Sequence, residues 1–146
     1  MSAESLFSLC SYVVLPSWAL LIFAPRWKWT ARMICALIVP VLLGVVYVAL
    51  LASQWNQLEG GFRSLAEVAQ LFSNPYALLA GWVHYLAFDL FIGSWEVRDA
   101  QRLNISHWLV TPCLLLTFLF GPFGLVLYLA LRFALRRVVW VNDGHA

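Results

Sequence analysis

Charged side chains are scarce in this sequence. Asp, Glu, Lys and Arg make up only 11% of the 146 residues, whereas about 25% are charged in ordinary soluble domains. The net charge of +2 is too small to indicate a nucleic-acid partner. Hydrophobic residues make up 63% of the chain, and the cations lie at the ends of apolar runs, where they anchor a bilayer protein. We therefore predict a single membrane domain over residues 1–146, with the lipid bilayer as its partner.

Patterns that bind metals or cofactors are also lacking. Cys10, Cys35 and Cys113 lie in separate apolar runs without metal-type spacing, so we predict buried free thiols. The histidines form no HxxH or ExxH pair of the kind found in zinc and di-iron sites. The sequence also contains no Ser-His-Asp arrangement and no phosphate-binding loop. We therefore predict neither a metal nor another cofactor.

Four apolar runs are long enough to cross a bilayer, which needs about 20 helical residues. We predict an all-α integral membrane bundle of four transmembrane helices, with a short interfacial amphipathic helix between the second and third and a polar tail at the end. The spans are predicted at about residues 6–24, 31–53, 75–97 and 107–132, and the interfacial segment at about 59–72. The interfacial segment could instead be a lid over a site. No basic segment precedes the first run, so we predict a retained helix and not a signal peptide.

Gly121-Pro122 interrupts the fourth run. We interpret this run as one long span with a kink at that point, and the alternative is a tight hairpin of two half-spans. The choice decides the predicted orientation. With a kink, the basic residues divide five to four between the two sides. With a hairpin, the C-terminal arginines join the other basic loops, and the positive-inside bias becomes clear.

The third span is predicted to begin at the N-cap Asn74 and at Pro75, and it contains His84 and Asp89. An isolated carboxylate costs about 2.5–3.5 kcal/mol to insert into a bilayer, so Asp89 needs a partner or a function. His84 and Asp89 are about 140° apart around the helix and do not face each other. If they cooperate, a ligand or a second helix lies between their faces. Otherwise both serve packing, and His84 hydrogen-bonds a backbone carbonyl.

Further polar and aromatic residues accompany this pair. Glu96 continues a stripe with Asp89 and Trp82, with Tyr85 between them. The charged residues at the end of the span indicate either a solvated turn with local ion pairs or part of a site that includes His107. The candidate ligand-binding residues are Trp82, Tyr85, Phe88, Trp95, Glu96, Arg98, Asp99 and His107.

Several runs resemble one known family. The segments 72–75, 81–93, 95–99 and 112–122 are similar to the abscisic-acid-deficient, neoxanthin-synthase-like membrane proteins of plant plastids and bacteria. The resemblance implies a four-helix integral membrane protein and, in plants, conversion of the epoxy-carotenoid violaxanthin to the allenic neoxanthin. The first span begins within a few residues of Met1 and leaves no room for a transit peptide. We therefore expect a bacterial relative in the inner (cytoplasmic) membrane.

The reaction that the resemblance implies is a redox-neutral isomerisation. A general acid protonates the epoxide oxygen as the C–O bond opens, and a base removes a vinylic proton. On this basis Asp89, kept protonated in an apolar site, is the candidate acid, and His84 is the candidate base. The ligand would be a carotenoid or another isoprenoid lipid. The alternative is a non-catalytic membrane protein that binds such a lipid or scaffolds another membrane enzyme. Either interpretation is compatible with a homo-oligomer.

Overall fold

The structure, a computed structural model, describes residues 2–139 and contains no strand over that range. Its α-helices are, in chain order, α1 (Ala3–Phe23), α2 (Val39–Gln54), α3 (Leu65–Leu71), α4 (Pro75–Arg102), α5 (His107–Phe120) and α6 (Pro122–Arg136). A π-helical segment, Thr30–Ile38, continues directly into α2. The predicted all-α class is confirmed, and the predicted polar tail lies outside the described residues.

Three of the described helices are long and apolar enough to cross a membrane. They are α1, the continuous helix Thr30–Gln54, and α4. The cap predicted for α4 is present, because Asn74 Oδ1 accepts hydrogen bonds from the Tyr76 and Ala77 amides at 2.9 and 3.3 Å. The helix extends beyond the predicted end at residue 97 and finishes at Arg102. The first three predicted spans therefore correspond to candidate spans, and the predicted count of four is not confirmed.

The fourth apolar run is not a single kinked span. Gly121, at φ +49°, separates α5 from α6. Pro122 lacks the backbone N–H that would continue α5. Gly124 lies so close to α5 that a Cβ there would collide with the Thr117 backbone and come within 2.5 Å of Cys113 O. In one continuous helix residues 113 and 124 would be about 16 Å apart. The kink interpretation is therefore wrong, and α5 and α6 form a hairpin.

The hairpin reaches only to the middle of α4. At its tip, a Cβ on Gly121 would lie 2.9 Å from Asp89 Oδ1. Its open end lies at the C-terminal end of α4, where Arg136 donates a hydrogen bond to the Asn104 carbonyl. With 14 residues, α5 is about 21 Å long, which is short of the roughly 30 Å hydrocarbon core of a bilayer. The two helices are therefore too short to cross the bilayer. The start of α5 and the end of α6 lie at the same end of the bundle.

Nearly all cations gather at this end. The α1 terminus is joined to it by a hydrogen bond from Gln101 Nε2 to Pro25 O at 2.7 Å. Of the nine Lys and Arg residues, Arg63 alone belongs to the segment that joins α2 to α3. The other eight lie at or near the hairpin's open end: Arg26, Lys28, Arg32, Arg98, Arg102, Arg132, Arg136 and Arg137. With the hairpin, the nine cations divide eight to one between the two ends of the bundle, and not five to four as a kinked span would place them.

α3 is shorter than the predicted interfacial segment at 59–72. Ser64 caps it by accepting a hydrogen bond from the Glu67 amide at 3.2 Å, and the helix has seven residues. Of these only Leu71 is buried. The side chains of Phe62 and Leu65 are 83% and 86% exposed. Placement of this segment at a membrane interface stays a prediction.

α4 is the central helix, and α1, α2, α5 and α6 all pack against it. Gly93 allows close approach of α1, because a Cβ there would lie 2.7 Å from the Trp18 ring. Trp18 in turn packs on Phe118 of α5, with ring centroids 5.4 Å apart. The three cysteines are buried and free, as the sequence predicts.

We predict that Gly124→Ala opens the hairpin and lowers the thermal unfolding temperature of the detergent-solubilised protein. The added methyl group would meet α5 backbone atoms, which cannot move aside. Gly44→Ala is the matched control, because nothing lies within 4 Å of its added Cβ and Ala is favoured over Gly in helices by about 1 kcal/mol. Equal stability of Gly124→Ala and the unmodified chain would contradict the hairpin packing.

Candidate functional site

A stripe of polar side chains runs along one face of α4. Tyr85, Asp89, Glu96 and Asp99 are four, seven and three residues apart, spacings that keep them on the same side of a helix. We call these four residues the polar stripe. The hairpin covers this face, so that α5 and α6 supply partners to the stripe. The sequence predicted the alignment of Tyr85, Asp89 and Glu96 but not the helices that cover them.

The hairpin tip brings Tyr85 and Asp89 together. Because Pro122 has no N–H, the Phe118 carbonyl loses its helical donor, and the Tyr85 hydroxyl donates to that carbonyl at 3.3 Å. Tyr85 also interacts with the Asp89 carboxyl. Asp89 lies over Gly121, and its Oδ2 atom is buried without a hydrogen-bond partner among the described residues. At the tip, the Phe118 carbonyl therefore has a hydrogen-bond donor, whereas Asp89 Oδ2 has no partner among the described residues.

Glu96 lies deeper under the hairpin and is fully buried. The Thr117 hydroxyl of α5 donates to Glu96 Oε1 at 2.9 Å, while Oε2 has no partner within the part of the chain that the structure describes. The expected solvated turn is therefore not found at this residue, because α5 excludes water from it.

Asp99 is the centre of a buried ion-pair network. Arg132 Nε of α6 lies 2.8 Å from Asp99 Oδ2, and the Tyr128 hydroxyl donates to the same oxygen at 2.7 Å. Arg102 pairs with Oδ1 at 2.6 Å. The local Asp99–Arg102 pair agrees with the predicted ion pairs, but Arg132 and Tyr128 are not among the predicted site residues. Their spacing with Gly124, four residues at a time along α6, was the signal available for them.

His84 faces the other side of α4. Its exposed ring stacks on Phe88 with centroids 4.4 Å apart and lies 5.9 Å from the Tyr47 ring of α2. It belongs to a groove of about 530 Å³ between α2 and α4, lined by Pro40, Leu43, Gly44, Tyr47, Val83, His84, Ala87, Phe88 and Phe91. Asp89 does not line this groove. The structure therefore does not bring the predicted acid and base together, and α4 itself lies between them.

The other aromatic candidates pack against neighbouring helices. Trp82 Nε1 donates to the Ser11 hydroxyl of α1 at 3.1 Å, and the Trp82 ring packs on Phe7 with centroids 5.4 Å apart. Trp95 contacts Tyr128 of α6 edge-on at 5.5 Å. Both side chains therefore help to hold α4 in the bundle, and their role in ligand binding stays a prediction.

The remaining polar candidates satisfy backbone carbonyls. Arg98 Nη1 donates to the Ala31 carbonyl at 2.6 Å. His107 Nε2 lies 2.8 Å from the Ile22 carbonyl, which is in the last turn of α1, where carbonyls lack helical donors. These contacts join α4 to the π-helical segment before α2 and α5 to α1. Ligand binding by either residue stays a prediction.

We predict that Asp99→Asn destabilises the bundle by about 3–5 kcal/mol, because it removes the negative charge beside the buried Arg132 guanidinium. Arg102→Gln is the control, since the Arg102 side chain is 36% exposed and exposed ion pairs contribute about 0–1 kcal/mol. Unfolding in a denaturant series, followed by tryptophan fluorescence, measures both changes. Similar losses in the two variants would refute the central place of the Asp99–Arg132 pair.

Comparison with known proteins identifies relatives of the chain. A family model described as ABA DEFICIENT 4-like matches residues 5–128. The chain is 32% identical over 133 residues to "Protein ABA DEFICIENT 4, chloroplastic" of Arabidopsis thaliana. The match covers 85% of this chain and 59% of that protein, so the chain spans well under two thirds of its relative's length. No solved structure matches the chain.

These comparisons correct one expectation and confirm another. The curated relative is a chloroplastic plant protein, so the predicted location in a bacterial inner membrane is wrong. That prediction depended on the distance from Met1 to the first apolar run, which does not reveal the source of a chain. The resemblance itself is confirmed by the family match and by the identity to the plant protein. The chain belongs to the ABA DEFICIENT 4-like family.

Proposed function

We propose that the chain is a multi-pass protein of a plastid membrane that isomerises an epoxy-carotenoid or a related isoprenoid lipid. Family membership supports a carotenoid-related function, and the chloroplastic relative supports the plastid location. Three helices with the length and hydropathy of membrane spans support the membrane location. The observation that carries the proposal is the unpartnered, buried Oδ2 of Asp89 at the hairpin tip.

The position of Asp89 favours chemistry over packing. A carboxyl group in the interior of a membrane protein is costly, and such groups commonly mark functional sites. An unpaired buried polar atom is unfavourable, and both Asp89 Oδ2 and Glu96 Oε2 lack a partner among the described residues. Glu96 is closed off completely by the hairpin, whereas Asp89 is only half-buried at the hairpin tip, where a ligand can reach it. Non-helical backbone at membrane depth is tolerated where it is buried in protein or lines a cavity. Gly121, next to Asp89, provides such backbone.

The proposed reaction moves one proton and leaves the oxidation state unchanged. Asp89 donates its proton to the epoxide oxygen as one C–O bond breaks, and the oxygen becomes a hydroxyl group. The adjacent vinylic carbon then loses a proton, and the C–H electron pair forms the second double bond of the allene. The same reaction needs a base within reach of that hydrogen.

Asp89 can serve as this base as well. After donating its proton it is a carboxylate, and accepting the vinylic proton restores its starting state. This cycle needs no second titratable group, which suits a site from which His84 is separated by α4. Tyr85, which also contacts the Phe118 carbonyl, would hold the carboxyl in place. His84 would be the base only if the lipid extended around α4.

A non-catalytic lipid-binding or scaffolding protein is the second candidate function. It is favoured by the contacts of Glu96, Arg98, Asp99 and His107, each of which pairs with a neighbouring helix or loop. These contacts stabilise the helix bundle, and that role requires no catalysed reaction. The two functions differ in what they require of Asp89, which must exchange a proton in the first and only pack in the second.

We predict that Asp89→Asn abolishes conversion of violaxanthin to neoxanthin in proteoliposomes, with a loss of roughly 10²–10⁴-fold, the usual contribution of a general acid or base. Asparagine has nearly the size of aspartate but cannot donate a carboxylic proton. Product is quantified by liquid chromatography of the extracted pigments.

The matched control is Glu96→Gln, the same chemical change two helical turns further along the polar stripe. It should retain conversion, because the hairpin buries Glu96 completely. Gel filtration of both variants checks that they are folded. Conversion by folded Asp89→Asn at the unmodified rate would refute the catalytic role, and equal losses in both variants would assign the effect to packing.

A further inference from the structure

We propose that the groove between α2 and α4 is a binding site for the oxygen-bearing ring end of an isoprenoid lipid, with His84 hydrogen-bonded to the ring oxygen. We call it the His84 groove. The class of ligand rests on the proposed function, whereas the site itself follows from the contacts around His84. It is separate from the Asp89 tip, because the two lie on different faces of α4.

The size and lining of the groove suit a small apolar ligand. Its volume of about 530 Å³ lies within the roughly 300–1,000 Å³ typical of small-molecule sites. The walls combine the aliphatic side chains of Leu43 and Val83 with the aromatic rings of Tyr47, Phe88 and Phe91. Flat rings favour a rigid, conjugated or cyclic ligand, since they offer large contact areas with little loss of rotamer freedom.

His84 and Tyr47 are the two lining residues of this groove with polar side-chain groups, and His84 is the one with a ring exposed on α4. Its ring is exposed and stacked on Phe88, and no described residue hydrogen-bonds it. Ten residues into α4, it lies well away from both helix ends. A polar group that faces hydrocarbon without a partner is unfavourable, and lipid cannot supply one along its acyl chains. A hydroxyl or epoxide oxygen on the ligand would satisfy the imidazole.

Gly44 keeps the groove open. Nothing lies within 4 Å of a Cβ built at this position, although Gly44 is in the interior of α2, where glycine costs about 1 kcal/mol relative to alanine. No close approach of another described helix therefore requires a glycine here. The space that its missing side chain leaves belongs to the groove, and a ligand is the occupant that explains both features.

The test uses two carotenoids with the same carbon skeleton, zeaxanthin, whose rings carry hydroxyl groups, and β-carotene, which has no oxygen. Binding to the full chain in lipid nanodiscs is followed by quenching of tryptophan fluorescence. We expect the unmodified chain to prefer zeaxanthin by roughly 2- to 12-fold, the contribution of one hydrogen bond. His84→Phe, which preserves stacking on Phe88, should remove this preference.

Gly44→Phe should weaken binding of both carotenoids by roughly tenfold or more, because the added ring occupies the space that the ligand needs. Val45→Phe is the matched control, since Val45 is 63% exposed on the same helix, lies about 100° around the helix from Gly44 and does not line the groove. It should bind as the unmodified chain does. Unchanged binding by Gly44→Phe, or equal losses in Gly44→Phe and Val45→Phe, would overturn the proposal.

Two further outcomes separate this inference from the proposed function. If Gly44→Phe changes the oligomeric state and not carotenoid affinity, the groove receives a second copy of the chain, and the proposal fails. If the groove variants behave as expected but no neoxanthin forms, the binding site stands and the isomerase function fails. Conversely, full conversion and full carotenoid affinity in Gly44→Phe would leave the isomerase function intact and refute this site.

Discussion

The close contact between Gly124 and the α5 backbone is the constraint on which the rest of the structure depends. Because Gly124 has no side chain, α6 can lie directly against α5. This contact sets the direction of α6 and therefore carries Tyr128 and Arg132 back to Asp99. A longer side chain at this position would separate the two helices and leave the carboxylate of Asp99 without its main cation.

The hairpin also creates the candidate site. It covers the polar stripe from Asp99 as far as Asp89, and it ends there because α5 and α6 are both half-length. Glu96 is consequently buried between helices, whereas Asp89 is only half-buried, at the edge of the covered region. The stripe therefore divides into a covered part, which holds the Asp99–Arg132 ion pair and the fully buried Glu96, and a half-buried tip, where Asp89 Oδ2 has no partner among the described residues.

Much of this arrangement could be predicted from local sequence. The Asn74 cap, the first three long apolar helices and the buried thiols depend on near neighbours or on hydropathy, and each is found in the structure. The separation of His84 from Asp89 also follows from helix geometry alone. Such features need no knowledge of how distant segments pack.

The hairpin could not be predicted in the same way. A kink and a hairpin use the same residues at Gly121-Pro122 and differ in one backbone turn and in the contacts that follow it. Arg132 pairs with an aspartate 33 residues away, a distance at which periodicity carries no information. The burial of Glu96 depends on that same fold-back, so a charged cluster that resembles a solvated turn becomes a buried network.

The most direct test of this account is the distance between the two ends of the hairpin. Spin labels at Ser106→Cys and Arg137→Cys, in a chain whose three native cysteines are replaced, can be measured by pulsed electron paramagnetic resonance in nanodiscs. The hairpin predicts a short separation, on the order of 10–20 Å, set by adjacent helices. One continuous span would hold these labels about 45 Å apart. A distribution centred near the longer distance would contradict the fold-back and, with it, the placement of Asp89 at the tip.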